Sequence, residues 1–129
     1  MDLNWYETLN KPLFTPPSWV FAPAWTVLYI LMFLSLYIYL RTYTKINKTN
    51  GTILFLTQLL FNFLWSPSFF YWQNIKLSFF IIILLVLFLI GTIVYFYKVS
   101  KISAILLIPY FLWVCFAIYL NFGFMVLNP

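Results

Sequence analysis

Four apolar runs, each near the length of a bilayer crossing, dominate the chain. They extend from about Trp19 to Leu40, Thr52 to Tyr71, Leu77 to Tyr97 and Ile102 to Leu127. A hydrocarbon core about 30 Å thick is crossed by roughly 20 apolar residues in a helix. The runs are continuously apolar and lack the period-two alternation of a membrane barrel strand. A backbone immersed in lipid must also satisfy its own N–H and C=O groups, and a single helix does so. The expected fold is therefore all-α, a polytopic transmembrane bundle of four helices, forming one domain over residues 1–129.

Composition matters mainly for what it excludes. The chain is 65% hydrophobic and 7% charged, against about 45–50% and about 25% for a soluble domain. There is no histidine, and the acidic side chains are Asp2 and Glu7 alone. Cys115 is the single cysteine. A metal centre needs several such ligands, and Ser-His-Asp or Cys-His catalysis needs a base. No catalytic residue, no metal and no required cofactor is expected, and histidine-ligated haem is excluded. The net charge of +5 comes from seven basic residues scattered between apolar runs. That scatter argues against nucleic acid and for loops beside an anionic lipid bilayer. Cys115 is expected to be a small buried hydrophobe.

The connections are short, so neighbouring helices are expected to be antiparallel. Arg41, Lys45 and Lys48 follow the first run, and Lys98 and Lys101 follow the third. Lys11 and Lys76 fall on the opposite side. This bias places the two richer loops in the cytoplasm and both termini outside. The N-terminus lacks the basic start and apolar core of a signal peptide.

Residues 1–18 read differently. Pro12, Pro16 and Pro17 prevent a long regular helix. Trp5, Tyr6, Leu9 and Phe14 are too apolar for a free tail. Two readings fit, a structured flap over the face of the bundle and an interfacial anchor, since Trp and Tyr favour that depth. Trp72, near the end of the second run, reads as such an anchor.

Three stripes could carry function. Trp25 and Tyr29 are four apart in the first run, and Gln58 and Asn62 are four apart in the second, with Trp65 three further on. Tyr110, Trp113, Ala117 and Asn121 recur on one face of the fourth, just after Pro109. Proline there should kink or loosen the helix. Intramembrane amides usually face the bundle interior. They either bond a neighbouring helix or line a cavity, and the aromatic stripes either pack helices or enclose a flat ligand.

The motifs WYxxLxKPxFxPPxWxxxPxWxxLY (from Trp5 to Tyr29), QxxxNxxWxPxFF (from Gln58 to Phe70) and PYxxWxxxAxxLN (from Pro109 to Asn121) occur in that order. Together they closely resemble the TspO/MBR family, the tryptophan-rich sensory and translocator proteins, over nearly the whole chain. The resemblance implies a ligand cavity lined by Trp25, Tyr29, Gln58, Asn62, Tyr110, Trp113 and Ala117. It implies a lid made of residues 1–18 and Trp19, with Trp5, Lys11, Pro12, Pro16, Pro17 and Trp19 in the motif. The implied ligand is a porphyrin, haem-type tetrapyrrole or similarly planar hydrophobic small molecule, and the implied role is sensing, regulation or transport. Light-dependent porphyrin degradation is a further implication, and a structural or regulatory membrane subunit built on helix association is the alternative. A homodimer is also implied, through small-residue contacts, although the chain holds only Gly51, Gly91 and Gly123. Family members place another helix before the Trp-Tyr motif, whereas here Trp5 is the fifth residue. A bacterial inner membrane is expected, with the mitochondrial outer membrane as the family's other location. The animal cholesterol motif is missing from LNFGFMVLNP, which has no basic residue.

Overall fold

The computed structural model describes residues 20–66, 68 and 73–128. All regular structure among them is helical: α1 (Phe21–Arg41), α2 (Thr49–Ser66), α3 (Ile75–Val99), α4 (Lys101–Leu106) and α5 (Ile108–Leu127). The last two form one rod interrupted at Leu107, so the described chain is a bundle of four rods. Three are long and apolar enough to cross a membrane: Pro23–Arg41, Ile75–Val99 and Lys101–Leu127. The described part of α2 is 18 residues long and more polar, carrying Thr52, Thr57, Gln58 and Asn62. The expected lid, residues 1–18 with Trp19, lies outside the described residues, as does Trp72.

Local chemistry sets the helix ends. Asn74 caps α3, its Oδ1 accepting from Leu77 N–H at 3.0 Å, and it follows Gln73, which sits in the left-handed region at φ 54°. The turn between α3 and α4 is tight. Ser100 alone joins them, donating its N–H to Phe96 O at 2.8 Å while its Oγ accepts from Ser103 N–H at 3.3 Å. Lys48 folds back on the end of α1 and donates to Leu40 O at 2.8 Å and Thr42 O at 2.6 Å. Those carbonyls have no helical partner, and a cation also suits the negative end of the helix dipole. The break at Leu107 falls two residues before Pro109, which occupies the first turn of α5 where its missing N–H costs nothing.

The rods pack in the order α2, α3, the α4–α5 rod, then α1. Ser35 on α1 donates to Ser103 O on α4 at 2.6 Å, a contact that holds the two helices close. At the same end Tyr39 lies flat on Phe96, with centroids 3.9 Å apart and planes 11° apart. Its hydroxyl donates to Lys48 O at 3.1 Å. Gly51 makes room for it, because a Cβ there would stand 2.9 Å from Tyr39 Cζ.

The antiparallel course puts Arg41, Lys45, Lys48, Lys98 and Lys101 at one end of the bundle and Lys76 at the other. Three of the five lie over tyrosine rings, Arg41 over Tyr37, Lys98 over Tyr95 and Lys101 over Tyr97. Outward positions such as Ile30, Leu60, Phe80, Leu87 and Leu112 are exposed, as a lipid-facing surface requires. Cys115 is exposed too, which corrects its expected burial. On a helix that is apolar all round, the sequence gives no sign of which apolar residue faces lipid.

Candidate functional site

Trp25 is the hub of the site. Its ring centroid lies 5.8 Å from Tyr29, 6.2 Å from Trp65, 6.3 Å from Tyr110 and 6.2 Å from Trp113. Tyr110 and Trp113 meet it edge-on, at interplanar angles of 66° and 86°. These are favourable arrangements for rings whose faces are negative and edges positive. Three helices supply the cluster: α1 gives Trp25 and Tyr29, α2 gives Trp65, and α5 gives Tyr110 and Trp113. Every tryptophan among the described residues belongs to it. Tyr110 and Trp65 are buried, whereas Trp25, Tyr29 and Trp113 are half-buried.

Beneath the rings runs a directed chain of hydrogen bonds. Tyr29 Oη donates to Asn62 Oδ1. Asn62 Nδ2 donates to Tyr110 Oη at 2.9 Å, and Tyr110 Oη donates to Gln58 Oε1 at 2.7 Å. Gln58 Nε2 reaches Met32 Sδ at 3.7 Å, a weak acceptor. The i, i+4 spacing of Gln58 and Asn62 places both amides on the face of α2 that meets α1 and α5. The two helices α1 and α2 are thus joined through long side chains, by Tyr29–Asn62 and Gln58–Met32. Each amide keeps a second N–H, and Asn62 and Gln58 keep acceptor capacity on their carbonyls. Among the described residues the site offers π-faces, two tyrosine hydroxyls and two neutral amides.

Six of the seven cavity residues expected from sequence are joined in this cluster and its hydrogen-bond chain. The seventh, Ala117, is buried one turn beyond Trp113 on the inner face of α5. Asn121, on the same stripe, has a different set of partners. Its Oδ1 accepts from Trp65 Nε1 and Ser78 Oγ, both at 2.9 Å, and its Nδ2 donates to Ile75 O at 3.0 Å. It clamps α2, α3 and α5 together. Met32 and Ser78 were not singled out from sequence. Met32 stands three residues after Tyr29 and so shares its face, but nothing in the spacing marks a thioether as an amide's partner.

The model of the TspO/MBR family matches residues 1–127. The chain belongs to the TspO/MBR family. It is 45% identical over 126 residues to the tryptophan-rich protein TspO of Chlorobaculum tepidum, covering 97% of this chain and 80% of the relative. The TspO protein of Archaeoglobus fulgidus is 46% identical with the same coverage. The human translocator protein is 32% identical over 122 residues, covering 93% of this chain and 72% of the relative. Family membership and the apolar helices make the chain a multi-pass membrane protein whose surroundings are a lipid bilayer. In this TspO/MBR chain the tryptophan-rich character has a structural counterpart: Trp25, Trp65 and Trp113 converge on one point.

Proposed function

We propose that this protein binds a porphyrin or similarly planar apolar tetrapyrrole against the Trp25 cluster, and serves in sensing, regulation or transport. The observation that carries the reading is the environment of Trp25. A half-buried indole is ringed by four other aromatic side chains, two of which, Tyr29 and Tyr110, hydrogen-bond the amides of Asn62 and Gln58. A flat ligand can exchange ring–ring contacts with Trp25 and Trp113, and a ligand carboxylate or carbonyl can take the spare N–H of Asn62 or Gln58. The inward turn of Trp65 and Tyr110 supports this reading over one in which the stripes dock a partner helix. Their faces are already spent within the chain.

The test is titration of protoporphyrin into the protein in nanodiscs, following tryptophan emission. One-site, saturable quenching that weakens in Trp25→Leu is expected. Quenching that grows linearly with porphyrin and is the same in Trp25→Leu is partition into lipid and would refute the reading.

A further inference from the structure

A recess borders the aromatic cluster on the lipid side of the seam between α1 and α5. Ala24, Val27 and Leu28 form one wall and Pro109, Leu112 and Trp113 the other, around a volume of about 470 Å³. Each wall is an i, i+3, i+4 stripe, so two helix faces look at each other across the gap. The gap exists because Ala24 and Pro109 are too short to fill it.

From these observations we infer that the α1–α5 groove is a binding site for one acyl chain of a bilayer lipid. Three features identify the occupant. The lining is predominantly apolar and holds no charged side chain, so nothing in it pairs with a phosphate headgroup. The groove is continuous with the lipid-facing surface, since Val27 and Leu112 at its lips are 56% and 61% exposed. Its depth is that of hydrocarbon: at about 1.5 Å per residue, its residues lie between about 12 and 26 Å from the basic end marked by Arg41 and Lys101. A chain seated there rests on Trp113, which also meets Trp25 edge-on with centroids 6.2 Å apart. The lipid and the aromatic cluster therefore share one side chain as a wall. This inference does not depend on porphyrin binding.

The experiment uses nanodiscs holding one copy of the protein in phosphatidylcholine doped with a phosphatidylcholine that carries a diazirine midway along one acyl chain. After photolysis, adducts are mapped by peptide mass spectrometry. Leu87 and Ile90 on the outer face of α3, 59% and 45% exposed, report ordinary lipid contact at similar depth. Adduct yield at Val27 and Leu112 is expected to exceed theirs several-fold. In Ala24→Phe, which fills the groove, it should fall to the α3 level, with circular dichroism confirming the fold. If that variant does not fold, Val27→Trp carries the same test, read at Leu112. Equal yields at the groove and on α3, or enrichment that persists in the filled variant, would overturn the assignment. Loss of the groove adducts in two-copy discs would transfer the groove to a second copy of the chain. Their displacement by added protoporphyrin would transfer it to the planar ligand. Either result would also overturn the assignment.

Discussion

The hydroxyl of Tyr110 donates to Oε1 of Gln58 at 2.7 Å, and both residues are fully buried. The Tyr110 hydroxyl oxygen also accepts from Asn62 Nδ2, so Tyr110→Phe leaves an acceptor on Gln58 and a donor on Asn62 unpaired. A stranded buried polar group costs about 1–3 kcal/mol, more than the mean of about 0.6 kcal/mol for a bond between membrane helices. Tyr110→Phe should lower unfolding stability in detergent by about 1–3 kcal/mol. Adding Gln58→Leu should cost less than the two single changes combined, because residues in one network couple. Strict additivity would show that the bond carries no stability.

Gly51 and Tyr39 form a second tested pair. A Cβ on Gly51 collides with the Tyr39 hydroxyl and stands 2.9 Å from Cζ. The ring cannot retreat, because Phe96 is stacked on it. Gly51→Ala should be destabilising by about 1–3 kcal/mol, the usual cost of overpacking, although alanine is the better helix former. Tyr39→Phe removes the clashing oxygen, so the double variant should melt above Gly51→Ala alone. A stable Gly51→Ala protein would mean the α1–α2 end adjusts freely.

The fold and the site were legible in the sequence to different depths. Run length and apolarity gave the four rods, and Pro109 marked the break that falls at Leu107. Helical spacing gave the faces, so Trp25 with Tyr29 and Gln58 with Asn62 were readable as pairs. Spacing along one helix does not say which helix stands opposite, and so the Tyr29–Asn62–Tyr110–Gln58 order was not readable. Nor was the Asn121 clamp, since its partners Trp65, Ser78 and Ile75 come from two other helices. The Gly51–Tyr39–Phe96 interlock had no signal beyond one glycine near a helix start. Cys115 was misplaced because lipid-facing and core-facing positions are both apolar in a membrane helix.

Cys115 offers a direct check of the outer surface. It is exposed, yet it lies about 21 Å along the rod from Lys101 at about 1.5 Å per residue. A water-soluble reagent does not enter the hydrocarbon around that depth. Cys115 should resist a water-soluble maleimide in nanodiscs and react after denaturation. In a Cys115→Ser background, Thr49→Cys on intact cells should escape an impermeant maleimide, because the basic loops are expected to face the cytoplasm. Labelling of Thr49→Cys from outside would reverse the topology.

Asn62 and Asn121 are both buried amides, and their partners separate their roles. Asn121 spends both ends of its amide on Trp65, Ser78 and Ile75, and of these only Trp65 belongs to the aromatic site. Asn62 touches two residues of the aromatic site, Tyr29 and Tyr110, and keeps one N–H to spare. Asn121→Leu removes the acceptor that the Trp65 indole N–H and the Ser78 hydroxyl share and the donor to Ile75 O, so stability should fall by about 1–3 kcal/mol, with porphyrin affinity little changed in the folded fraction. Asn62→Leu leaves the Tyr110–Gln58 bond intact, so its structural cost should stay nearer the mean of about 0.6 kcal/mol. A charge-assisted bond from Asn62 to a porphyrin carboxylate is worth about 1.5–3 kcal/mol, which is roughly tenfold or more in Kd. The two variants should therefore fail in opposite assays, one in melting and the other in protoporphyrin titration. If Asn62→Leu keeps its porphyrin affinity and melts below Asn121→Leu, the Asn62 amide is a helix clamp, and the ligand does not reach the amide pair beneath Trp25.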